Sequence, residues 1–195
     1  MSDRIEFPSV AAAAPDSGAE GPPIRLVSAA ARGLRLRPAT EGDREVLYRI
    51  YASTRLDEVR QTGWDEAQIE AFLRFQFGAQ ARYYEEQFAD ASFDLIEQSE
   101  ERSGEQGGAV IGRLYVDLRD DEIRLIDIAL LPQHRGSGLG GALMTDILAE
   151  GRRRGLLVRI HVERENPAMR LYRRLGFEKI EEQGVYDLME WRPDE

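Results

Sequence analysis

The 195-residue sequence contains no cysteine and only two histidines. The first absence excludes disulfides, thiolate metal sites and a cysteine nucleophile, and it fits a reducing compartment. Two histidines and no cysteine give no expectation of a dedicated catalytic metal. No apolar run approaches the roughly 20 residues of a membrane span. The first residues lack the basic and then apolar regions of a signal peptide, so no membrane partner and a cytoplasmic location are expected. Positive charge is also short: 26 Lys and Arg stand against 36 Asp and Glu, for a net charge of −10. That balance disfavours general binding to nucleic-acid phosphates. What is present, 42% hydrophobic and 32% charged residues, is the composition of a globular protein, long enough for one domain with a sizeable core.

Residues 1–33 are rich in Ala, Pro, Ser and Gly and show no sustained period. They read as a flexible N-terminal tail, within which residues 24–27 have the pattern of a short strand. Residues 34–195 read as a single domain. Leu34 to Arg37 alternate and stop at Pro38, as a first strand would. Thr40 caps a helix to about Arg55, with Val46, Leu47, Ile50 and Tyr51 on its apolar face. Asp65 caps a longer helix over 66–88, one side of which carries Ile69, Phe72, Leu73, Tyr83 and Tyr84. Phe75, Phe77 and Phe88 make it aromatic on more than one face, which suits a second packing surface or a pocket wall. The two aromatic faces and the C-terminal hairpin leave room for a homodimer.

Strand patterns follow at 92–97 and 109–118, around a polar turn over 98–108, with a bulge expected at Gly112. A third strand runs over 122–131. Short connections make this meander antiparallel. A helix over 142–154 buries Leu143, Ile147 and Leu148 and stops at Gly155. The next strand, 156–163, runs parallel to the third because a right-handed crossover joins them. A short helix from Asn166 to about Leu175 and a hairpin of 177–182 and 185–191 close the chain.

Between the third strand and its helix lies Gln133-His-Arg-Gly-Ser-Gly-Leu-Gly-Gly141. A strand feeding a glycine-rich turn that opens a helix leaves free N–H groups at the positive end of a macrodipole. It is a cradle for phosphate or pyrophosphate. Gly136, Gly138, Gly140 and Gly141 lack the Cβ atoms that keep a ligand from the main chain, and Arg135 adds a cation at the rim. Gly136, Gly138 and Gly141 spell G-x-G-x-x-G, with Glu163 about twenty residues on, which is the dinucleotide fingerprint. Against that reading, Pro132 to Arg135 separate strand from glycines, and only one βαβ unit exists. The phosphate-loop pattern of nucleotide hydrolases fails, since no Lys-Ser or Lys-Thr follows.

A longer pattern fits better. Gln133-x-x-Gly136-x-Gly138 after Pro132 resembles the pyrophosphate-binding motif of the GNAT N-acetyltransferase superfamily. Asn166-Pro-Ala-Met-Arg-Leu-Tyr-Arg-Arg-Leu-Gly-Phe177 resembles that family's second signature, with Asn166 six residues before Tyr172 rather than the more usual seven. The resemblance covers about residues 34–191. It implies an α/β (α+β) GNAT-like fold: a mixed central sheet of about six to seven strands, element order β-α-α-β-β-β-α-β-α-β-β, and helices on both faces. It implies acetyl-CoA as acyl donor and an amine acceptor attacking directly. The pyrophosphate would sit on Gln133, Arg135, Gly136, Ser137, Gly138, Leu139, Gly140 and Gly141, with Asn166 nearby. The pantetheine arm would pair with the strand edge at Ile128, Ala129, Leu130 and Leu131, where the third meander strand and the parallel strand after it splay apart. Tyr172 matches the family's acid for the departing thiolate. Glu163, His161 and Asp127 are comparable candidates for the base. Two other readings stay open: an acyl-CoA-binding module without turnover, and a Rossmann-type NAD(P)-dependent oxidoreductase.

Overall fold

A computed structural model describes residues 24–99 and 108–194. Most of the expected tail, residues 1–23, and most of the polar turn before the second meander strand lie outside the described residues. The elements are β1 (Leu34–Pro38), α1 (Arg44–Val59), α2 (Glu66–Gln87), β2 (Ser92–Gln98), β3 (Ala109–Leu118), β4 (Glu122–Leu130), α3 (Leu139–Arg154), β5 (Leu157–Glu163), α4 (Met169–Arg174), β6 (Glu178–Gln183) and β7 (Tyr186–Trp191). The seven strands form one sheet in the order β1-β2-β3-β4-β5-β7-β6. Every neighbouring pair is antiparallel except β4 and β5. Among the described residues, no helix is long and apolar enough to cross a membrane.

Local chemistry explains the helix starts. The N–H and Oγ of Thr40 donate to the Asp43 carboxylate at 2.8 and 2.7 Å, and Arg37 clamps the same group at 2.8 Å. At α2, Asp65 accepts from the Gln68 N–H (2.9 Å) while Gln68 accepts from the Asp65 N–H (3.0 Å), a reciprocal capping box. Helix α1 runs past the expected Arg55 because no glycine or proline interrupts it before Gly63, whose φ of 76° ends the following turn.

Strand alternation divides the core. Ile123, Leu125, Val158, Ile160 and Val162 face α3, where they meet Leu143, Met144 and Ile147. Ile50, Leu95 and Ala129, together with Tyr51, Leu73 and Phe77, build the opposite side beneath α1 and α2. Each buried Val, Leu, Ile, Met or Phe side chain contributes on the order of 2 kcal/mol by leaving water. One strand junction is tight. Ile96 pairs with Gly112 but Glu97 with Val110, so the extra residue of the bulge is Ile111, beside the expected Gly112. A Cβ on Gly112 would collide with the Ala129 carbonyl of β4 and lie 2.8 Å from Leu130 Cδ2.

The ten residues ahead of β1 are anchored to the domain rather than free of it. Ile24 and Ala29 are buried in the α3-side core. The N–H groups of Val27, Ser28 and Ala29 donate to the buried Asp146 carboxylate of α3 at 3.1, 2.8 and 2.8 Å. The backbone curls around this carboxylate, so the strand expected at 24–27 does not form. A 3-10 turn (Ala30–Arg32) follows and is closed by Gly33 at φ 76°. A hydrophobic pattern alone could not reveal this, because the stabilising partner lies more than a hundred residues away.

Candidate functional site

The site begins with a fault in the sheet. Tyr115 pairs with Asp127 but Val116 with Leu125, so Ile126 is an extra residue in β4. A bulge bends its strand and raises its twist. The parallel ladder joins Glu122–Leu125 to Leu157–Ile160 and stops there. Strand β5 continues instead along β7, as far as Glu163 opposite Tyr186. From Ile126 onward the β4 backbone therefore faces a gap rather than β5. This exposed edge starts two residues earlier than Ile128. It ends sooner as well: the Leu131 N–H donates to Ile111 O at 2.8 Å, and the Leu130 carbonyl accepts from Arg135 Nε at 2.7 Å.

A cavity of about 240 Å³ occupies the split. Its lining includes Ile160 and Val162, which face α3, and His161 and Glu163, which face the other way. The cavity therefore passes between the strands. Helix α1 supplies Tyr51 and Arg55, α2 supplies Gln80, Tyr83 and Tyr84, and Asp127, Ile128 and Ala129 of β4 form one wall. Asn166 and Tyr172 reach it from the segment after β5.

Next to the end of β4, the glycine turn has the geometry of an anion cradle. Gln133 lies exposed in a 3-10 turn (Pro132–His134), and the Ser137 Oγ donates back to His134 O at 2.7 Å. Gly136 and Gly138 take φ of 70° and 83°, which a side chain would strain. Gly138 is the N-cap of α3, and the first intrahelical bond runs from the Ala142 N–H to Gly138 O. By helix geometry, the N–H groups of Leu139, Gly140 and Gly141 precede any intrahelical acceptor. The helix thus starts at Leu139, three residues before the expected 142. Gly140 and Gly141 sit in its first turn at ordinary backbone angles, with room for a methyl group. The turn itself therefore does not require glycine at these two positions. Arg135 does not line the cradle. Its guanidinium is turned to Leu130 O and to Ser53 of α1, at 2.9 Å from Ser53 Oγ, and burial lowers its pKa. It ties the loop to the scaffold.

The four catalytic candidates all reach the cavity, but their surroundings differ. Tyr172 is buried, 4% exposed, and stacks edge-on against Phe177 at 5.8 Å. Burial, reinforced by the Asp127 carboxylate, pushes its phenol above the ordinary tyrosine value. It stays protonated and can donate. Asp127 accepts from Arg113 at 2.6 Å and from Tyr84 at 3.4 Å. Burial works against the charge on Arg113, but the Asp127 carboxylate holds its pKa above the usual value. Glu163 pairs with Arg55 at 2.6 Å and accepts from Tyr186 at 3.3 Å.

His161 is differently placed. Its Nδ1 lies 3.4 Å from Arg124 NH1, and its Nε2 lies 3.0 Å from Gln183 Oε1. An arginine only donates, so Nδ1 must be the acceptor and Nε2 must carry the proton. Burial first, and Arg124 second, lower its pKa. The ring is neutral, and its lone pair is already engaged.

Asn166 closes a local turn: its Oδ1 accepts from the Ala168 N–H at 2.8 Å. Arg55, Arg113, Tyr186 and Gln183 shape the site without having stood out in the sequence, whereas Tyr83 and Tyr84 line the cavity from the aromatic helix expected to serve as a packing surface or a pocket wall. Arg113 and Asp127 sit on adjacent strands, so a paired arginine and aspartate on two apolar strands was the one available signal.

The Acetyltransferase (GNAT) family model matches residues 57–177. Among solved structures, the PaiA N-acetyltransferase from Thermoplasma acidophilum in complex with coenzyme A superposes with a TM-score of 0.57 at 17% identity, covering 82% of this chain and 98% of that one. The structure from Corynebacterium glutamicum described as histone acetyltransferase HPA2 and related acetyltransferase gives 0.55 at 22% identity, with coverages of 83% and 96%. Ard1 from Thermoplasma volcanium gives 0.51 at 22%, with coverages of 84% and 99%. At such identities the likeness is one of fold. No curated protein sequence matches the chain significantly.

Proposed function

The chain belongs to the GNAT acetyltransferase family, and from that premise we propose that it transfers an acetyl group from acetyl-CoA to a primary amine by direct attack. The observation that carries this reading is the split between β4 and β5. It opens at the Ile126 bulge, has free backbone on one wall, and lies next to the glycine-capped end of α3. The diphosphate of the donor binds the first-turn amides of α3. The pantetheine amides pair with the β4 edge from Ile126, which delivers the thioester to Tyr172 and Asp127.

The amine nitrogen attacks the thioester carbon, a C–N bond forms and the C–S bond breaks. The departing sulfur takes the Tyr172 phenolic proton, which the raised pKa keeps available. Before attack, the acceptor ammonium gives one proton through water to a cavity carboxylate, Asp127 or Glu163; the second, released as the amide forms, restores the Tyr172 phenol. His161 is not the base in this reading, because Arg124 occupies its lone pair. The sheet holds one parallel pair of strands, so the two mononucleotide halves of a dinucleotide-binding fold are missing among the described residues. This argues against the oxidoreductase alternative.

Release of free CoA from acetyl-CoA, measured across a panel of small amines, amino acids and peptides, tests the proposal. Amine-dependent release that Tyr172→Phe suppresses supports it. Tight binding of NAD(P)H with no binding of acetyl-CoA contradicts it.

A further inference from the structure

The loop's own cation, Arg135, is committed to Leu130 and Ser53. A different arginine lies against the cradle. Arg32 ends the 3-10 turn that precedes β1, in a segment outside both sequence motifs. Its NH1 donates to Ser137 O at 3.3 Å. Its NH1, Cζ and NH2 lie 3.4, 3.7 and 3.7 Å from the point that a Cβ on Gly138 would occupy. The planar head therefore rests on the N-cap of α3, beside the first-turn amides.

This position is built into the fold. Asp146 is 2% exposed, lies on α3, and accepts the N–H groups of Val27, Ser28 and Ala29. The segment that carries Arg32 is thereby fastened to the same helix whose first turn forms the cradle. A buried carboxylate accepting three backbone donors is a costly arrangement to break. A guanidinium matches phosphate oxygens through a rigid fork of donors, which an ammonium lacks.

We infer that Arg32 binds the diphosphate of the acyl-CoA donor, supplying from the N-terminal segment the positive charge that Arg135 does not. The inference rests on the acyl-CoA reading above. It assigns Arg32 to the diphosphate rather than to the ribose 3′-phosphate, because the guanidinium lies at Gly138, next to the amides that open α3. Both groups are phosphates, and ligands that differ in one of them separate the two.

Calorimetric titration of the wild type and of Arg32→Gln with CoA, dephospho-CoA and pantetheine is the test. CoA and dephospho-CoA both contain the diphosphate, and pantetheine contains none. Loss of a charge-assisted contact is expected to weaken CoA and dephospho-CoA by the same factor, about tenfold, with pantetheine unchanged. Arg32→Lys should recover part of the loss, and added salt should narrow the gap. The side chain is exposed, so the thermal midpoint of Arg32→Gln should match the wild type. Equal CoA affinity in wild type and Arg32→Gln overturns the inference while leaving the acyl-CoA reading intact. A loss confined to CoA moves Arg32 to the 3′-phosphate and overturns the assignment. An equal loss for pantetheine marks a packing effect and overturns it as well. A wild type that binds none of the three removes the acyl-CoA reading, and the inference with it.

Discussion

The two ends of the proposed site are made differently. At the proposed donor end, the groups on offer are mostly backbone, joined by the Arg32 guanidinium: the first-turn amides of α3, and the β4 edge released by the Ile126 bulge. At the proposed acceptor end, the cavity is lined by side chains drawn from α1, α2, β3, β5 and β7, some locked in pairs such as Arg113–Asp127 and Arg55–Glu163. A ligand common to many enzymes can be held by main chain, which tolerates change in most side chains as long as glycine stays small. A ligand that differs between enzymes must be read by side chains. The family relationship thus bears on the donor, while most of the side chains that line the cavity lie outside the two motifs.

The comparison can be broken most forcefully at the point where the two ends meet. Tyr172→Phe removes one hydroxyl. If that hydroxyl protonates the thiolate, turnover falls by about 100-fold or more, while CoA affinity stays near the wild-type value. Loss of affinity with turnover per bound donor preserved would make Tyr172 a packing residue of the core. Because its pKa is raised, no alkaline loss of rate attributable to Tyr172 is expected below its ordinary value of 10, and a rate–pH profile checks this.

At the donor end alone, Gly138→Val forces a branched side chain to φ 83° against Arg32. We expect CoA affinity to fall by roughly 10- to 100-fold, with the fold retained. Unchanged affinity in a folded variant would show that this turn holds no diphosphate.

The support beneath the cradle is a matter of stability. Asp146→Ala leaves three buried or half-buried N–H groups without their acceptor, and should cost about 2–4 kcal/mol in denaturant unfolding. A change under about 0.5 kcal/mol would mean that the N-terminal segment is held by other contacts.

The smallest effect is expected at His161. Its pKa is lowered, so it is already neutral near pH 7, and its lone pair faces Arg124. His161→Gln should keep the acidic limb of the rate–pH profile in place and the rate within a few-fold of wild type. A limb that vanishes with His161 would make it the base after all. For stability, the sign follows from the same shift. As pH drops through the ordinary value of 6.5 toward the lowered native one, the unfolded chain takes the proton more readily, so the contribution of His161 is present above that window and lost below it.

Much of the fold was legible because its signals are local. Thr40 and Asp65 announced their helices, Gly155 the end of one, and the strands of the meander showed their pattern within one or two residues. The glycine turn was legible for the same reason: its chemistry is contained in nine consecutive residues. The bulge at Ile126 was not, because nothing in the run from Glu122 to Leu130 marks which residue will lose its partner. That choice depends on the register of β3 and β5 together. Residues 24–33 were read as tail because their composition is that of a tail. They are ordered by Asp146, a partner distant in sequence. The roles of Arg135 and Arg32 were hidden likewise. Sequence places the first within the motif and the second outside it, while side-chain direction reverses their relation to the loop.

The central claim is that the β4–β5 split receives the pantetheine arm while the α3 amides hold the diphosphate. A crystal structure with bound acetyl-CoA measures both at once. Diphosphate oxygens are expected within hydrogen-bond reach of the N–H groups of Leu139 to Gly141, with the thioester between Ala129 and Tyr172. A coenzyme seated anywhere else, or a split that stays empty beside it, contradicts the account.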